Sequence, residues 1–223
     1  GAVKELSRLK KDYDELTIKL EKYEQMRRSN VDIKKENDRL KEQLGFATSL
    51  EEKNYPAQII GRETDNLNSY LTINKGSSSG IKKNMPVIAY QKGELGLVGK
   101  IIQVGTFSSI VMPIYNSNCS ISTRIQNTRD LGLVTGNGGE DVPLSMSYIR
   151  KRVLDELHIG DVIVTSGENN NYMKDIPVGA ISKVTVIDYN SSLDIELTPI
   201  VDFSRLENVI VVNQKEINDT KRR

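Results

Sequence analysis

The sequence has little of the material from which metal sites and disulfide frameworks are built. Its 223 residues include one cysteine, one histidine and no tryptophan. A single cysteine excludes a disulfide bond within the chain, and one cysteine with one histidine cannot supply the ligands of the usual zinc site. We therefore expect neither a metal site nor an intrachain disulfide.

Charge of one sign is also lacking. The chain has 31 basic and 30 acidic residues, which gives a formal net charge of +1 at pH 7. This balance excludes the broad basic field that gathers nucleic acid. The nine tyrosines and three phenylalanines are scattered and form no stacking platform for single strands. We expect no nucleic-acid partner.

Long hydrophobic runs are absent as well. No stretch approaches the roughly 20 consecutive apolar residues of a membrane-spanning helix. The chain begins with Gly1 and Ala2, without a methionine, and enters a helical pattern at once. We therefore expect a trimmed chain, and the sequence leaves room for a membrane anchor that precedes Gly1 in a longer protein.

What the sequence does have is a heptad pattern over residues 3–45. Steps of three and four residues alternate in two runs, Leu6, Leu9, Tyr13, Leu16, Leu20 and Tyr23, then Met26, Asn30, Ile33, Asn37, Leu40 and Leu44. A narrow stripe with charged flanks is typical of a coiled coil, and the alternative is a single helix folded against its own globular domain. The step of three from Tyr23 to Met26 is a stammer, which should overwind the supercoil locally.

Asparagines in the stripe predict the number and direction of the helices. If Ile33 and Leu40 occupy d positions, Asn30 and Asn37 fall at a. Buried asparagine at a costs stability but fixes the register and favours parallel dimers. We predict a parallel homodimer through this segment, with a helix about 60 Å long at 1.5 Å per residue.

Beyond Gly45 the sequence is typical of β structure. Short runs rich in β-branched residues recur with Gly, Asn and Ser between them, among them 69–73, 86–90, 101–104, 110–112, 119–125, 162–165, 184–187, 195–197 and 209–212. Strands of this kind without long helices between them indicate barrels or sandwiches and disfavour a parallel α/β sheet. The phrase Leu95-Gly96-Leu97-Val98 returns at 131–134, which favours two similar six-stranded barrels, unless glycine-rich strands match by chance.

One motif suggests an enzyme. Gly76-Ser77-Ser78-Ser79-Gly80 has the G-x-S-x-G spacing of a nucleophile elbow, but an elbow needs a following helix and Pro86 comes too soon. His158, Asp161 and Ser166 follow the chain order of a two-barrel serine protease, yet they lie within nine residues, whereas that fold draws its triad from both barrels. We predict no catalytic residue and interpret the central serine of the motif as a loop tip.

A series of phrases, taken in order, resembles the MreC family of rod shape-determining proteins. They are ENDRLKEQL at the end of the heptads, PAQIIGR from Pro56, INKGSSSGIKKNMPVI from Ile73, GLVGKI from Gly96, GDVIVTSG from Gly160, IPVGAISKV from Ile176, Thr198-Pro199, and LENVIVV from Leu206. The resemblance covers almost the whole chain. No single phrase is as specific as the combination.

The resemblance implies a membrane-anchored protein with a coiled coil and two β-barrel subdomains outside the membrane. It implies a non-enzymatic scaffold of cell elongation that self-associates and links cytoskeletal and membrane components to penicillin-binding transpeptidase and glycosyltransferase enzymes. The family carries no catalytic or cofactor residues to transfer. The last strands of the chain are expected to return to the first barrel, which makes the second barrel an insertion.

The resulting domain prediction has four parts. Residues 3–45 form the coiled coil, 55–114 with 195–213 the first barrel, 115–194 the second barrel, and 214–223 a flexible tail. A periplasmic adaptor of an efflux or secretion pump is the other non-enzyme hypothesis. Such adaptors carry both helices of their coil in one chain, whereas this chain has one heptad segment and needs a second molecule.

Overall fold

The computed structural model describes residues 2–43, 54–65, 68–168, 172–187 and 191–213. Two compact units divide the chain, one over Gly1–Glu52 and the other over Lys53–Arg223. The described part of the first unit is one helix, and the described part of the second contains the β structure. Among the described residues, no helix is both long enough and apolar enough to cross a lipid bilayer.

Helix α1 spans Ala2–Gln43. Its sequence contains neither proline nor glycine and is dense in Lys, Glu and Arg, which are good helix formers. Every side chain described in it, from Lys4 to Lys34, is exposed. The predicted coil positions Asn37 and Leu40 lie in the helix, but their side chains are outside the described part, and Leu44 lies outside the described residues altogether.

The described part of the second unit holds twelve β-strands. In chain order they are β1 Asn54–Asp65, β2 Asn68–Ile73, β3 Pro86–Gln91, β4 Glu94–Val104, β5 Ser109–Pro113, β6 Ser120–Ile125, β7 Leu131–Thr135, β8 Leu144–Arg150, β9 Val162–Thr165, β10 Pro177–Val186, β11 Ser192–Pro199 and β12 Asn208–Val212. All pairs are antiparallel. Short 3-10 turns lie between some of the strands, at Ser77–Ser79, Lys151–Glu156 and Phe203–Arg205.

These strands close into two six-stranded barrels. The first has the order β1-β12-β3-β4-β5-β2, and the second has the order β10-β11-β8-β7-β6-β9. A closed barrel has no free sheet edge, so every strand finds two partners. The predicted fold class, mainly β with an N-terminal helix and two six-stranded barrels, is confirmed.

The return of the chain to the first barrel comes later than predicted. Strand β12 inserts between β1 and β3, so the second barrel lies between β5 and β12 in sequence. The predicted boundary at residue 195 is wrong, because β11 pairs with β8 and β10 in the second barrel. The alternation of buried and exposed side chains in β11 identifies it as a barrel strand but does not show to which barrel it belongs. The predicted tail, 214–223, lies outside the described residues.

Each barrel has its own apolar core. Leu71, Ile101 and Val111 are fully or almost fully buried in the first, and Ile121 and Met146 in the second. The barrel wall approaches itself closely at Gly99 in β4, where an added Cβ would lie 2.0 Å from the carbonyl oxygen of Met112. Register shifts in β4 on either side of Gly99 fit the bulges that let a small barrel curve.

Candidate interaction surfaces

The first candidate surface is the stripe on α1, called here the coil seam. It comprises the predicted positions whose side chains are described, Leu6, Leu9, Tyr13, Leu16, Leu20, Tyr23, Met26, Asn30 and Ile33. Its large apolar side chains are between 55% and 73% exposed in the single chain. Soluble proteins rarely leave a contiguous apolar stripe of this length uncovered, and such a stripe is typical of an interaction site.

Two further apolar side chains of α1 were not assigned to the seam. Ile18 is 64% exposed and Val31 is 47% exposed. In the first heptad run, with Leu16 at d, Ile18 falls at f, which points away from a partner helix. Ile18 therefore offers a comparison for Leu16, since both are apolar, exposed and on the same helix.

The G-x-S-x-G motif forms a loop that packs against its neighbour. The Ser78 hydroxyl donates a hydrogen bond to the Thr106 carbonyl at 2.8 Å, and the Ser77 amide donates to the Gly105 carbonyl at 2.9 Å. An added Cβ on Gly76 would lie 2.3 Å from that Gly105 oxygen. Gly80 has φ +91°, a conformation that suits glycine. The motif therefore serves close packing between the β2–β3 and β4–β5 loops.

The residues in protease order are not arranged as a triad. The His158 side chain is 76% exposed, and its Nδ1 lies 3.9 Å from Asp161 Oδ2. The Asp161 carboxylate accepts hydrogen bonds from the His158 amide and from Asn127 Nδ2, each at 2.9 Å. The buried Ser166 hydroxyl donates to Ser122 Oγ at 2.9 Å. The described bonds of Ser166 and of Ser78 do not involve His158.

The two barrels are joined by a cluster of polar side chains. Four polar residues form what we call the junction cluster, Arg62, Ser69, Asn116 and Glu140. Arg62 Nη2 donates to the Leu206 carbonyl at 2.6 Å, and Arg62 Nη1 donates to Glu140 Oε2 at 3.3 Å. Arg62 lies on β1 of the first barrel and Glu140 on the β7–β8 loop of the second. This pair therefore ties the barrels together.

Asn116 is the buried member of the cluster, with no exposed surface. Its Nδ2 donates to the Ser69 carbonyl at 2.8 Å, and its Oδ1 accepts the Asn118 amide at 2.9 Å. The Ser69 hydroxyl in turn donates to the Gly138 carbonyl at 3.3 Å. A buried side-chain amide without partners would be costly, so these bonds specify one arrangement of the linker.

An aromatic pair lies beside the cluster. The rings of Tyr115 and Phe203 meet edge to face, with centroids 4.8 Å apart and an interplanar angle of 80°. Burial, with a smaller contribution from the charge of Glu140, raises the pKa of Tyr115 to about 12, and the charge of Arg62 acts in the opposite sense. Tyr115 is therefore neutral at physiological pH and packs as an apolar ring.

Sequence reasoning missed this junction. The polar run Asn116-Ser117-Asn118, directly after the apolar β5, was the available signal. A hydrogen-bonding run between two predicted barrels is where a linker must satisfy its own backbone. Nothing local identifies Arg62, because the carbonyl that it binds lies 144 residues further along the chain.

Comparison with known proteins adds independent evidence. The family described as "Rod shape-determining protein MreC, barrel core" matches residues 59–213. The cell shape-determining protein MreC of Geobacillus stearothermophilus is 29% identical over an alignment of 220 residues that covers 95% of this chain and 75% of that protein. These matches cover both barrels, and the second also covers most of α1.

Solved structures agree with this assignment. A structure of MreC from Listeria monocytogenes is 28% identical, covers 89% of this chain and 94% of that one, and superposes with a TM-score of 0.66. A structure of a complex between the penicillin-binding protein PBP2 and MreC from Helicobacter pylori shares the fold at 15% identity, with a TM-score of 0.53 over 72% of this chain and 98% of that one. With its paired six-stranded barrels and the family match across both, this chain belongs to the MreC family of rod shape-determining proteins.

Proposed function

We propose that the chain is a non-enzymatic scaffold that maintains rod shape by organising peptidoglycan synthases outside the membrane. An N-terminal anchor would hold it to the cell membrane as a single-pass protein, and the coil seam would pair two copies in parallel. The paired barrels would then present docking surfaces for penicillin-binding proteins. The family match across both barrels supports the scaffold role, and the exposed coil seam supports pairing, because a stripe of that length needs a second helix to cover it.

Two further observations support the proposal. The Helicobacter pylori relative forms a complex with a penicillin-binding protein, and it shares the barrel fold with this chain. The junction cluster holds the two barrels in one arrangement, which suits a protein that positions other proteins. A pump adaptor is less well supported, because the described part of the chain contains one long helix and no second helix to pair with it.

A crosslinking experiment in cells tests the scaffold. The full-length, membrane-anchored protein would carry a photo-crosslinking amino acid at one position at a time in a rod-shaped host. Tyr148, 70% exposed on the second barrel, and Phe107, 77% exposed on the first, report on barrel partners. Tyr23 on the coil seam is the matched position for self-association.

The expected products differ between the positions. We expect Tyr23 to crosslink to a second copy of the chain, since it would face the partner helix. We expect the barrel positions, Tyr148 and Phe107, to crosslink to a penicillin-binding protein. Barrel positions that yield no wall-synthesis component, while Tyr23 still crosslinks to a second copy, would contradict the scaffold but leave the dimer standing.

A further inference from the structure

A groove of about 500 Å³ crosses the outer wall of the first barrel. We call it the β12 groove and define it by Pro56, Gln58, Lys75, Tyr90, Asn208 and Ile210. It runs from the loop after β2, over β1 and β12, to the end of β3. Its volume lies within the range of ligand-binding clefts.

The register of the strands arranges the groove into two rows. Pro56 on β1 lies opposite Ile210 on β12, and Gln58 lies opposite Asn208. The alternate residues Ala57 and Val209 are buried in the barrel, so these two pairs face outward. One row is apolar and the other carries side-chain amides. Tyr90, 64% exposed, closes the far end of the groove.

The amide row matches the needs of an extended backbone. The Asn74 side-chain oxygen accepts a hydrogen bond from the backbone N–H of Gln58 at 2.8 Å, which fixes the near end of the groove. Within the described part of the chain, the side chains of Gln58 and Asn208 have no hydrogen-bond partner. A carboxamide has two donors and one acceptor oxygen, so each can pair with both the N–H and the C=O of a bound segment.

Positive charge lies at one end of the groove. Lys75 lines its near end, and Lys82 and Lys83 are exposed further along the same loop. Residues 74–85 contain three lysines and no acidic residue. A ligand that carries a carboxylate is favoured with that group at the lysine end, within the range over which salt leaves charges unscreened.

We propose that the β12 groove binds an extended segment of a protein partner that carries an apolar side chain next to a carboxylate. The apolar side chain packs on Pro56 and Ile210 beside the Tyr90 ring, and the carboxylate pairs with Lys75. The amides of Gln58 and Asn208 bond the backbone between them. This goes beyond the proposed function, because the groove exists within one chain and does not depend on the coil dimer.

Peptide selection on the full chain provides the test. The 223-residue protein is immobilised and exposed to a displayed library of random 12-residue peptides. We expect the selected peptides to share an aromatic or aliphatic residue followed or preceded, always on the same side, by Asp or Glu. A synthetic peptide of the selected sequence is then titrated by fluorescence anisotropy, together with its reversed sequence, which would place the carboxylate at the far end, beside Tyr90 and away from Lys75.

Matched variants localise the binding. We expect Lys75→Glu and Tyr90→Ala each to weaken binding of the synthetic peptide at least tenfold. Lys174→Glu and Tyr148→Ala make the same changes at exposed positions of the second barrel, and we expect both to bind as the unaltered chain does. Lys75→Gln, which removes the charge without reversing it, should give an intermediate loss. Unchanged thermal unfolding of each variant shows that it is folded.

Several outcomes would overturn the proposal. Selected peptides without acidic residues would remove the charge argument, and equal losses in the groove variants and their second-barrel counterparts would place the binding elsewhere. Failure to select any peptide would show that the groove has no such ligand. Self-assembly that is lost in Lys75→Glu, with no peptide selected, would assign the groove to a second copy of the chain instead.

Discussion

Replacing Leu16 by aspartate is the most direct perturbation of the coil seam. Leu16 is 66% exposed in the single chain, and a parallel dimer would bury both copies at a d position. Full burial of a leucine side chain is worth about 1.5–3 kcal/mol, so the pair contributes roughly 3–6 kcal/mol. At about 1.4 kcal/mol for each factor of ten, its loss should raise the dimer dissociation constant roughly 10²- to 10⁴-fold. The two buried carboxylates would add to this cost.

Sedimentation equilibrium over a wide range of protein concentrations measures this change. We expect the unaltered chain to sediment as a dimer and Leu16→Asp to sediment as a monomer at the same concentrations. Ile18→Asp is the matched control, because Ile18 is 64% exposed on the same helix but points away from the seam. It introduces the same charge two residues away, and the dimer should persist.

Two results would refute this reasoning. The seam would not be an interface if the unaltered chain remained a monomer at the highest concentration. Equal weakening by Leu16→Asp and Ile18→Asp would mean that added negative charge, and not loss of the apolar contact, dissociates the dimer. Circular dichroism of both variants separates these cases from loss of the helix itself.

The remaining predictions concern register, the junction and the serine loop. Asn30→Leu should raise the melting temperature of the dimer but allow other oligomers, because asparagine at an a position gives specificity at a cost in stability. Thermal unfolding measures the first effect, and light scattering with crosslinking measures the second. Asn116→Ala should lower the free energy of unfolding in urea by about 1–3 kcal/mol, since it leaves the buried Ser69 carbonyl without its partner. Gly76→Ala should lower the free energy of unfolding by about 1–3 kcal/mol, because the added methyl group would overpack against the Gly105 carbonyl. Ser78→Ala should lower it by only about 0.5–1.5 kcal/mol, because it removes one hydrogen bond. Equal losses in the two variants would contradict the packing role. The pKa of Tyr115 is raised to about 12 in the folded chain, above its ordinary value of 10.0. Its contribution to stability is therefore complete below pH 10 and is lost as the pH rises towards 12, so Tyr115→Phe should show a smaller loss over that range in unfolding at stepped pH.

The elements with a local period were predictable from the sequence. Within each of its two runs, on either side of the stammer between Tyr23 and Met26, the stripe repeats every seven residues, and that period determines which side chains share a face of the helix. The strands were visible as β-branched runs, and the repeat at 131–134 indicated a second barrel. Whether the seam pairs two chains in parallel stays a prediction, because the structure describes one chain.

Pairing between distant strands was not predictable in the same way. Ile195 and Leu197 alternate with acidic residues as any barrel strand does, so β11 could belong to either barrel on sequence grounds. Its position is determined by pairing with β8, about 50 residues earlier in the chain, and by the bulge between Leu193 and Ile195. The junction cluster was missed for the same reason, because the bonds that connect it to distant parts of the chain join residues 47 to 144 positions apart.

Inserting one barrel into another imposes a requirement that this junction meets. The chain must cross between the barrels twice, once from β5 to β6 and once from β11 to β12. Two independent crossings could act as a flexible pair of tethers. Here Tyr115 on the first crossing packs edge to face on Phe203 of the second, which ties the crossings to each other.

Both barrels also form bonds with these two connected crossings. Arg62 of the first barrel binds the Leu206 carbonyl on the second crossing and Glu140 of the second barrel. Asn116 on the first crossing binds the Ser69 carbonyl of the first barrel. Relative motion of the barrels must therefore break several bonds together, including those of a fully buried amide. Partners that dock on different barrels of one chain would be held at a constant spacing, as a scaffold requires.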